Sequence, residues 1–199
     1  MPEISGYGDI DSFDIIETIG SFISDNVIDI RTDRKNIRWI FPTLPKDRTN
    51  YPEAVVEIKN ITYDDQSADM YLNSETLVGG NYVEYYGRSA MADVLITVLT
   101  EKESQFTVQR NGESLFLTNQ PLNLYIINQI SDAIKWYKSE LLEDFVDVRV
   151  IRKTPVFEDA PQTWASELRI EIDYQDVWAK EYSASGELLT EYSLTITTY

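Results

Sequence analysis

The sequence predicts an α+β fold: an antiparallel or mixed β-sheet packed against a long amphipathic helix and a shorter N-terminal helix. Three stretches carry that expectation. Residues 122–145, LNLYIINQISDAIKWYKSELLEDF, place Leu122, Ile126, Ile127, Ile130, Ala133, Ile134, Tyr137 and Leu141 at three- and four-residue steps. That is one apolar face with a period of 3.6 residues. VLITVL at 94–99 is the most apolar run in the chain, as expected of a central strand buried on both faces. LRIEIDY at 168–174 alternates Leu168, Ile170, Ile172 and Tyr174 with Arg169, Glu171 and Asp173. Such alternation fits a sheet with one buried face and one wet face.

The elements follow in order. Residues 1–11 are polar, contain Gly6 and Gly8, and read as an N-terminal arm. A single α+β domain spans 12–182. It opens with a helix in which Ile15, Ile16, Ile19, Phe22 and Ile23 share a face, with Asp11 or Ser12 as N-cap and an end near Asp25. Gly20 in its middle costs about 1 kcal/mol relative to Ala. NIRWIFP has strand character, closed by Pro42, Pro45 and the KDRTN cluster. YPEAVVEI at 51–58 is a strand whose Pro52 is tolerated at a strand start. Residues 59–81 read as an extended loop or hairpin rather than a core element, with Gly79-Gly80 as a turn. The span 82–101 is strand. QFTVQRNGESLFLT at 105–118 alternates around Asn111-Gly112, a hairpin signal. Pro121 precedes the long helix, where a missing N–H costs nothing. At 1.5 Å per residue that helix would be about 36 Å long. VDVRVI at 146–151 is a strand, KTPVFEDAPQTW a loop, SASGE at 183–187 a turn, and LLTEYSLTITTY a closing strand within a C-terminal extension, 183–199.

Composition narrows the function. The 199 residues carry 34 acidic and 17 basic side chains, a formal net charge of −17. General nucleic-acid binding needs Lys and Arg to neutralise phosphates, so this balance argues against it, and against an anionic membrane surface. Two readings of the acidity remain: adaptation to high salt, or a wall that must not hold DNA. There is no cysteine and no histidine. Thiol nucleophiles, disulfides, the usual zinc sites and imidazole bases are thereby excluded. No run approaches 18 apolar residues, so no membrane span is expected. The opening MPEISGYGDIDSF lacks the layout of a signal peptide, which predicts use in the cytoplasm or assembly there into something larger. Thirteen tyrosines suit either strands or interfaces.

No residues stand out as catalytic, cofactor-binding or metal-binding. Asp64, Asp65 and Asp69 are the densest acidic cluster in a loop, but lack the glycine and distal glutamate of a calcium loop. They read as a solvated loop. Gly87-Arg88-Ser89 follows a strand without a phosphate-loop consensus. Trp39, Trp136, Trp164 and Trp178 offer either sugar platforms or packing. Arg149 and Arg152 are the best basic candidates for an anionic partner, with surface salt bridges as the plainer reading.

The order of elements is itself informative. An N-terminal helix precedes YPEAVVEI. GRSAMADVLITVLTE then leads to the long helix, and EDFVDVRVIRKTP is followed by SELRIEIDYQDVW. Over roughly 12–182 this resembles the tail-terminator and tail-completion proteins of long-tailed viruses. The resemblance implies a homohexameric ring at the head–tail neck of a virion, assembled in the host cytoplasm. The ring would cap the tail tube protein and join it to the head connector. DNA would pass through the lumen without being read, past a negative wall that repels phosphate. It implies no catalysis and no cofactor, and the acid excess fits a salt-loving host. The 102–120 hairpin and the tail beyond Tyr182 exceed a minimal terminator, so stopper and adaptor rings of the neck stay open. Two other classes compete: a monomeric acidic halophilic ligand-binding domain with an aromatic pocket, and a hydrolase using two convergent carboxylates.

Overall fold

A computed structural model describes residues 12–29, 34–35, 39–40, 52–64, 70–77, 79–103, 105–110, 112–160 and 162–194. Helix α1 spans Ser12–Asn26. Short strands β1 (Ile28–Asp29), β2 (Arg34–Lys35) and β3 (Trp39–Ile40) follow. Next come β4 (Glu53–Tyr63), β5 (Met70–Thr76), β6 (Tyr82–Glu101) and the hairpin β7 (Gln105–Arg110) and β8 (Glu113–Thr118). Helices α2 (Asn119–Trp136) and α3 (Lys138–Leu141) lead into β9 (Asp147–Lys153), β10 (Phe157–Ala160), β11 (Thr163–Tyr182) and β12 (Leu188–Leu194). The arm read over 1–11 lies outside the described residues.

Two 20-residue strands, β6 and β11, form the spine. They pair antiparallel from Thr163↔Glu101 to Tyr182↔Tyr82 with no register shift. At about 3.3 Å per residue the ribbon is roughly 63 Å long. The other strands share its two flanks. β4 pairs β6 from Leu99 to Ala90, and β5 takes over from Gly87 to Tyr82. On the far flank β10 and β9 pair the first half of β11, and β12 pairs its last six residues. β3 adds to β4 in parallel, so the eight-stranded sheet is mixed.

Helices cover one face of one half of this sheet. Ala90, Ala92, Val94, Ile96 and Val98 of β6 and Leu168, Ile170, Ile172 and Tyr174 of β11 are buried there. Against them lie Ile15, Ile19 and Ile23 of α1 and Leu122, Ile126, Ile127, Ile130 and Ile134 of α2. Burial of each such side chain stabilises the fold by about 1.5–3 kcal/mol. Asn123 ties α2 to the sheet. Its fully buried Nδ2 lies 3.0 Å from the Val98 carbonyl, 3.1 Å from that of Trp164 and 3.2 Å from Thr100 Oγ1. On the opposite face, Val55, Leu99 and Ala165 form a small cluster, so the 94–99 run is buried on both sides only at its Leu99 end; Leu95 and Thr97 are half-buried. Farther along that face Arg169 Nε donates to Asp93 Oδ1 at 2.6 Å.

Several sequence expectations need correction. The long helix over 122–145 is not one helix. It starts at Asn119, with Pro121 inside its first turn, and stops at Trp136. Its 18 residues span about 27 Å. Tyr137 leaves helical geometry at φ −110° and ψ 24°, and its ring is exposed. The apolar stripe is broken there, because the positions after Ile134 are an exposed Tyr and a Lys paired with Asp147. Breaking at Tyr137 lets Leu141 and Phe145 turn back into the same core. Over 59–81 the hairpin reading holds and the loop reading does not: β4 runs to Tyr63, and β5 (Met70–Thr76) turns at Gly79-Gly80 to pair antiparallel with β6. The 153–164 loop contains β10. Val146, expected in strand phase with Val148, lies before β9 and is exposed. The Asn111-Gly112 hairpin forms as expected, with Gly112 at φ 81°, a conformation that glycine adopts without a Cβ penalty. The 183–187 turn also forms, with Gly186 at φ 86°. No helix among the described residues is long and apolar enough to cross a membrane.

Candidate functional site

The face that the helices cover continues past their reach. Strand alternation keeps phase along both spine strands, so Tyr82, Glu84, Tyr86 and Arg88 follow Ala90 on one side. Asp176, Trp178, Lys180 and Tyr182 follow Tyr174 beside them. No described helix packs on this second half, and the face changes from aliphatic to aromatic and charged. The reverse face carries its own small cluster, Val83, Val177 and Ala179, with Leu72, Leu77 and Tyr85 against it.

The aromatic side chains meet one another across four strands, β4, β5, β6 and β11. Arg88 Cζ sits 3.7 Å from the Tyr63 ring centre and 5.6 Å from that of Trp178. Trp178 stacks on Tyr86 with centroids 6.2 Å apart and 14° between planes. Tyr71 of β5 meets Tyr86 edge-on at 6.0 Å, and Lys180 Nζ lies 5.1 Å over the Tyr86 ring. Tyr82 and Tyr182 stack at 5.1 Å across the last register pair. Aromatic pairs of this kind add about 0.5–1.5 kcal/mol each, and cation–π contacts about 0.5–1 kcal/mol at exposed sites.

The basic side chains of this face, Arg88 and Lys180, are each paired with a carboxylate. Arg88 Nε donates to Asp176 Oδ2 at 2.8 Å, and a second guanidinium nitrogen lies 2.7 Å from the same oxygen. Burial opposes the Arg88 charge, but Asp176 and then the rings of Tyr63 and Tyr174 outweigh it, so its pKa is raised. Lys180 lies 3.4 Å from Glu191. Tyr86 Oη donates to Glu84 at 2.6 Å. That hydrogen bond, then burial, then Tyr182, push the Tyr86 hydroxyl well above its ordinary pKa.

A groove crosses the sheet where helix cover ends. Tyr63, Ala90, Val146 and Tyr174 line it together with Thr62, Asp64, Ser89, Met91 and Asp173. It measures about 370 Å³ and is open to solvent. A second cleft, about 440 Å³, separates α1 from α3 and is lined by Asp14, Glu17, Asp25, Glu140 and Asp144 above Phe22 and Leu141. Asn26 Nδ2 donates to Glu140 at 2.8 Å within it. Burial, then Glu143, raises the pKa of Asp144. Among the described residues no three carboxylates are placed to hold a metal ion.

The residues singled out from sequence do not come together. Asp64 is exposed at the end of β4, while Asp65 and Asp69 lie outside the described residues. Gly87-Arg88-Ser89 is strand interior rather than a phosphate loop, and Arg88 is held by Asp176. Trp136 stands at the end of α2, 81% exposed. Trp164 is half-buried under Lys102, and only Trp178 joins the aromatic face. The side chain of Trp39 lies outside the described residues. Arg149 makes surface salt bridges, to Asp173 at 3.0 Å and Glu171 at 3.5 Å, and Arg152 is exposed near it. Sequence reading missed Tyr63, Tyr71, Tyr86 and Lys180. Within β6 and β11 the one available signal was the four-residue spacing of Tyr82 and Tyr86 and of Trp178 and Tyr182, in phase with the buried aliphatics; Tyr63 and Tyr71, on other strands, left none.

In comparisons with known proteins, no family model and no curated protein matches the chain.

Proposed function

We propose that this chain is a structural subunit of a viral head–tail neck. Its copies form a ring that ends the tail tube and joins it to the head connector, while DNA passes through the lumen. The observation that supports this reading is the second half of the sheet, on which no described helix packs. One face buries aliphatics under the chain's own helices and then presents a stacked aromatic surface whose Arg88 and Lys180 are paired with Asp176 and Glu191. Such a surface suits another protein, because aromatic side chains combine large contact area with polar tips. The net charge of −17 suits a lumen that must release phosphate. Six copies follow from the resemblance in element order, as does the virion location; stopper and adaptor rings would use the same surface. In this reading the protein has no catalytic role.

Light scattering at low and multimolar salt, with and without tail tubes, tests the proposal. A ring-sized mass is expected, favoured by salt that screens copy–copy repulsion. A chain that stays monomeric at high concentration in both salts and never caps tubes would sink it. The groove beside Tyr63 and Tyr174 supports a second reading, a halophilic ligand-binding domain, since about 300–1,000 Å³ is the usual size of small-molecule sites. Saturable binding of a small aromatic or sugar ligand by the monomer, abolished by Tyr63→Ala, would favour it.

A further inference from the structure

The end of the ribbon farthest from the helices brings two tyrosines together. Tyr82 and Tyr182 are the last register pair of β6 and β11. Their rings stack with centroids 5.1 Å apart and 16° between planes. Both side chains are half-buried, so each keeps an edge open to small oxidants. Directly opposed residues of an antiparallel pair hold their Cβ atoms about 4.5–5.5 Å apart. Side-chain rotation, rather than backbone movement, then brings the two ring edges together. We infer that Tyr82 and Tyr182 form an oxidative cross-linking site, at which a one-electron oxidant joins the two side chains as dityrosine. The inference goes beyond the ring reading and does not depend on it.

The chemistry balances. Each phenol gives up one electron and its hydroxyl proton and becomes a phenoxyl radical. The radicals join through the carbons ortho to oxygen, forming one C–C bond. The hydrogens on those carbons pass to the oxygens and restore both phenols. Two electrons and two protons are lost in all. Two equivalents of the oxidant take the electrons, and water takes the protons.

Composition and surroundings select this pair. The chain has no cysteine, so no thiol competes for the radical and no disulfide can serve as a staple. Tyr71 and Tyr86 also touch, but at 6.0 Å and edge-on at 79°. Tyr86 is held in place besides: Trp178 stacks on it, Lys180 Nζ lies 5.1 Å over its ring, and its hydroxyl donates to Glu84. Tyr63 carries Arg88 against its ring. Tyr82 and Tyr182 face each other directly, and two reactants held side by side behave as if very concentrated. The link falls on the half of the sheet that no described helix covers. It joins residues far apart in sequence, and a cross-link of that kind stabilises by restricting the unfolded chain. Oxidation therefore staples the ribbon at its least covered end.

Full-length protein at low concentration, illuminated with tris(bipyridine)ruthenium(II) and persulfate, tests the site. The monomer should gain dityrosine fluorescence and lose two hydrogens in mass, and peptide mapping should join residues 82 and 182. Tyr82→Phe and Tyr182→Phe keep a ring in the stack and remove the phenol. Each should lower the intramolecular yield about tenfold, because the paired phenols are lost. Tyr71→Phe should leave the yield unchanged. The cross-linked monomer should melt at a higher temperature than untreated protein, with slower amide exchange at 82–88 and 176–182. A link mapped to another pair of tyrosines, or a yield undiminished in Tyr82→Phe, would overturn the inference. So would a monomer that forms no dityrosine while N-acetyltyrosine amide in the same mixture couples.

Discussion

The two halves of the β6–β11 ribbon share the same pairing and differ in what lies on top. In residues 90–98 and 168–174 the helix side holds Ala, Val, Leu, Ile and, at its end, Tyr174, closed over by α1 and α2. In residues 82–88 and 176–182 the same side holds Tyr, Trp, Arg, Lys, Asp and Glu, with no described helix above. The register does not slip between them. The halves are therefore stabilised differently. The first rests on aliphatic burial, which needs a cover. The second rests on stacked rings and paired charges, which tolerate water on one side. This contrast separates a part that makes the fold from a part free to meet another molecule.

Four experiments break or sharpen that contrast, in falling order of effect. Ile130→Ala empties a fully buried site between α2 and the sheet. It should cost about 2–5 kcal/mol in urea unfolding. A loss below 1 kcal/mol would mean that α2 does not close the covered half. Asn123→Ala removes the amide that ties α2 to Val98, Thr100 and Trp164. It should cost about 1–3 kcal/mol, the usual result of leaving buried groups unpaired. Trp178→Ala unstacks Tyr86 and uncovers Arg88. Its expected cost is about 1–2 kcal/mol. Amide exchange should quicken at 82–88 and 176–182 while 90–98 stays protected. Equal quickening in both halves would show that they open as one unit.

The smallest effect is one of pH. The Tyr86 hydroxyl is raised above its reference value of 10.0 by Glu84, burial and Tyr182. A raised folded pKa means that the folded state holds the proton more tightly than the unfolded state does. The stabilisation is complete below about pH 10 and is lost as pH rises through the folded pKa. The uncovered half should therefore loosen first in alkali, read by exchange or tyrosine absorbance. Tyr86→Phe should flatten that pH dependence, and an unchanged slope in the variant would assign it to another tyrosine.

The covered half was legible because period and burial coincide there. Leu168, Ile170 and Ile172 alternate with charge, and Ile126, Ile127, Ile130 and Ile134 recur at helical steps. The aromatic surface was not. Tyr63, Tyr71, Tyr86 and Trp178 sit on four strands, and neighbours across a sheet leave no spacing within one strand that announces them. The sequence left β5 open between loop and hairpin for a related reason. MYLNSET lacks apolar alternation, and pairing with β6 makes it a strand.

By itself, the amino-acid order determined the α+β class, the stripe of α1, the 105–118 hairpin, the apolar run within β6 and the alternation of β11, because each follows from local side-chain pattern. It also determined the absence of thiol and imidazole chemistry, through composition alone. Tertiary structure decided the rest: where α2 ends, that β4 and β5 share one flank of β6, and that helix cover stops at Ala90 and Tyr174. Those outcomes depend on which surfaces meet. Tyr137 leaves the helix because Leu141 and Phe145 reach the core that way, and no local pattern records that choice.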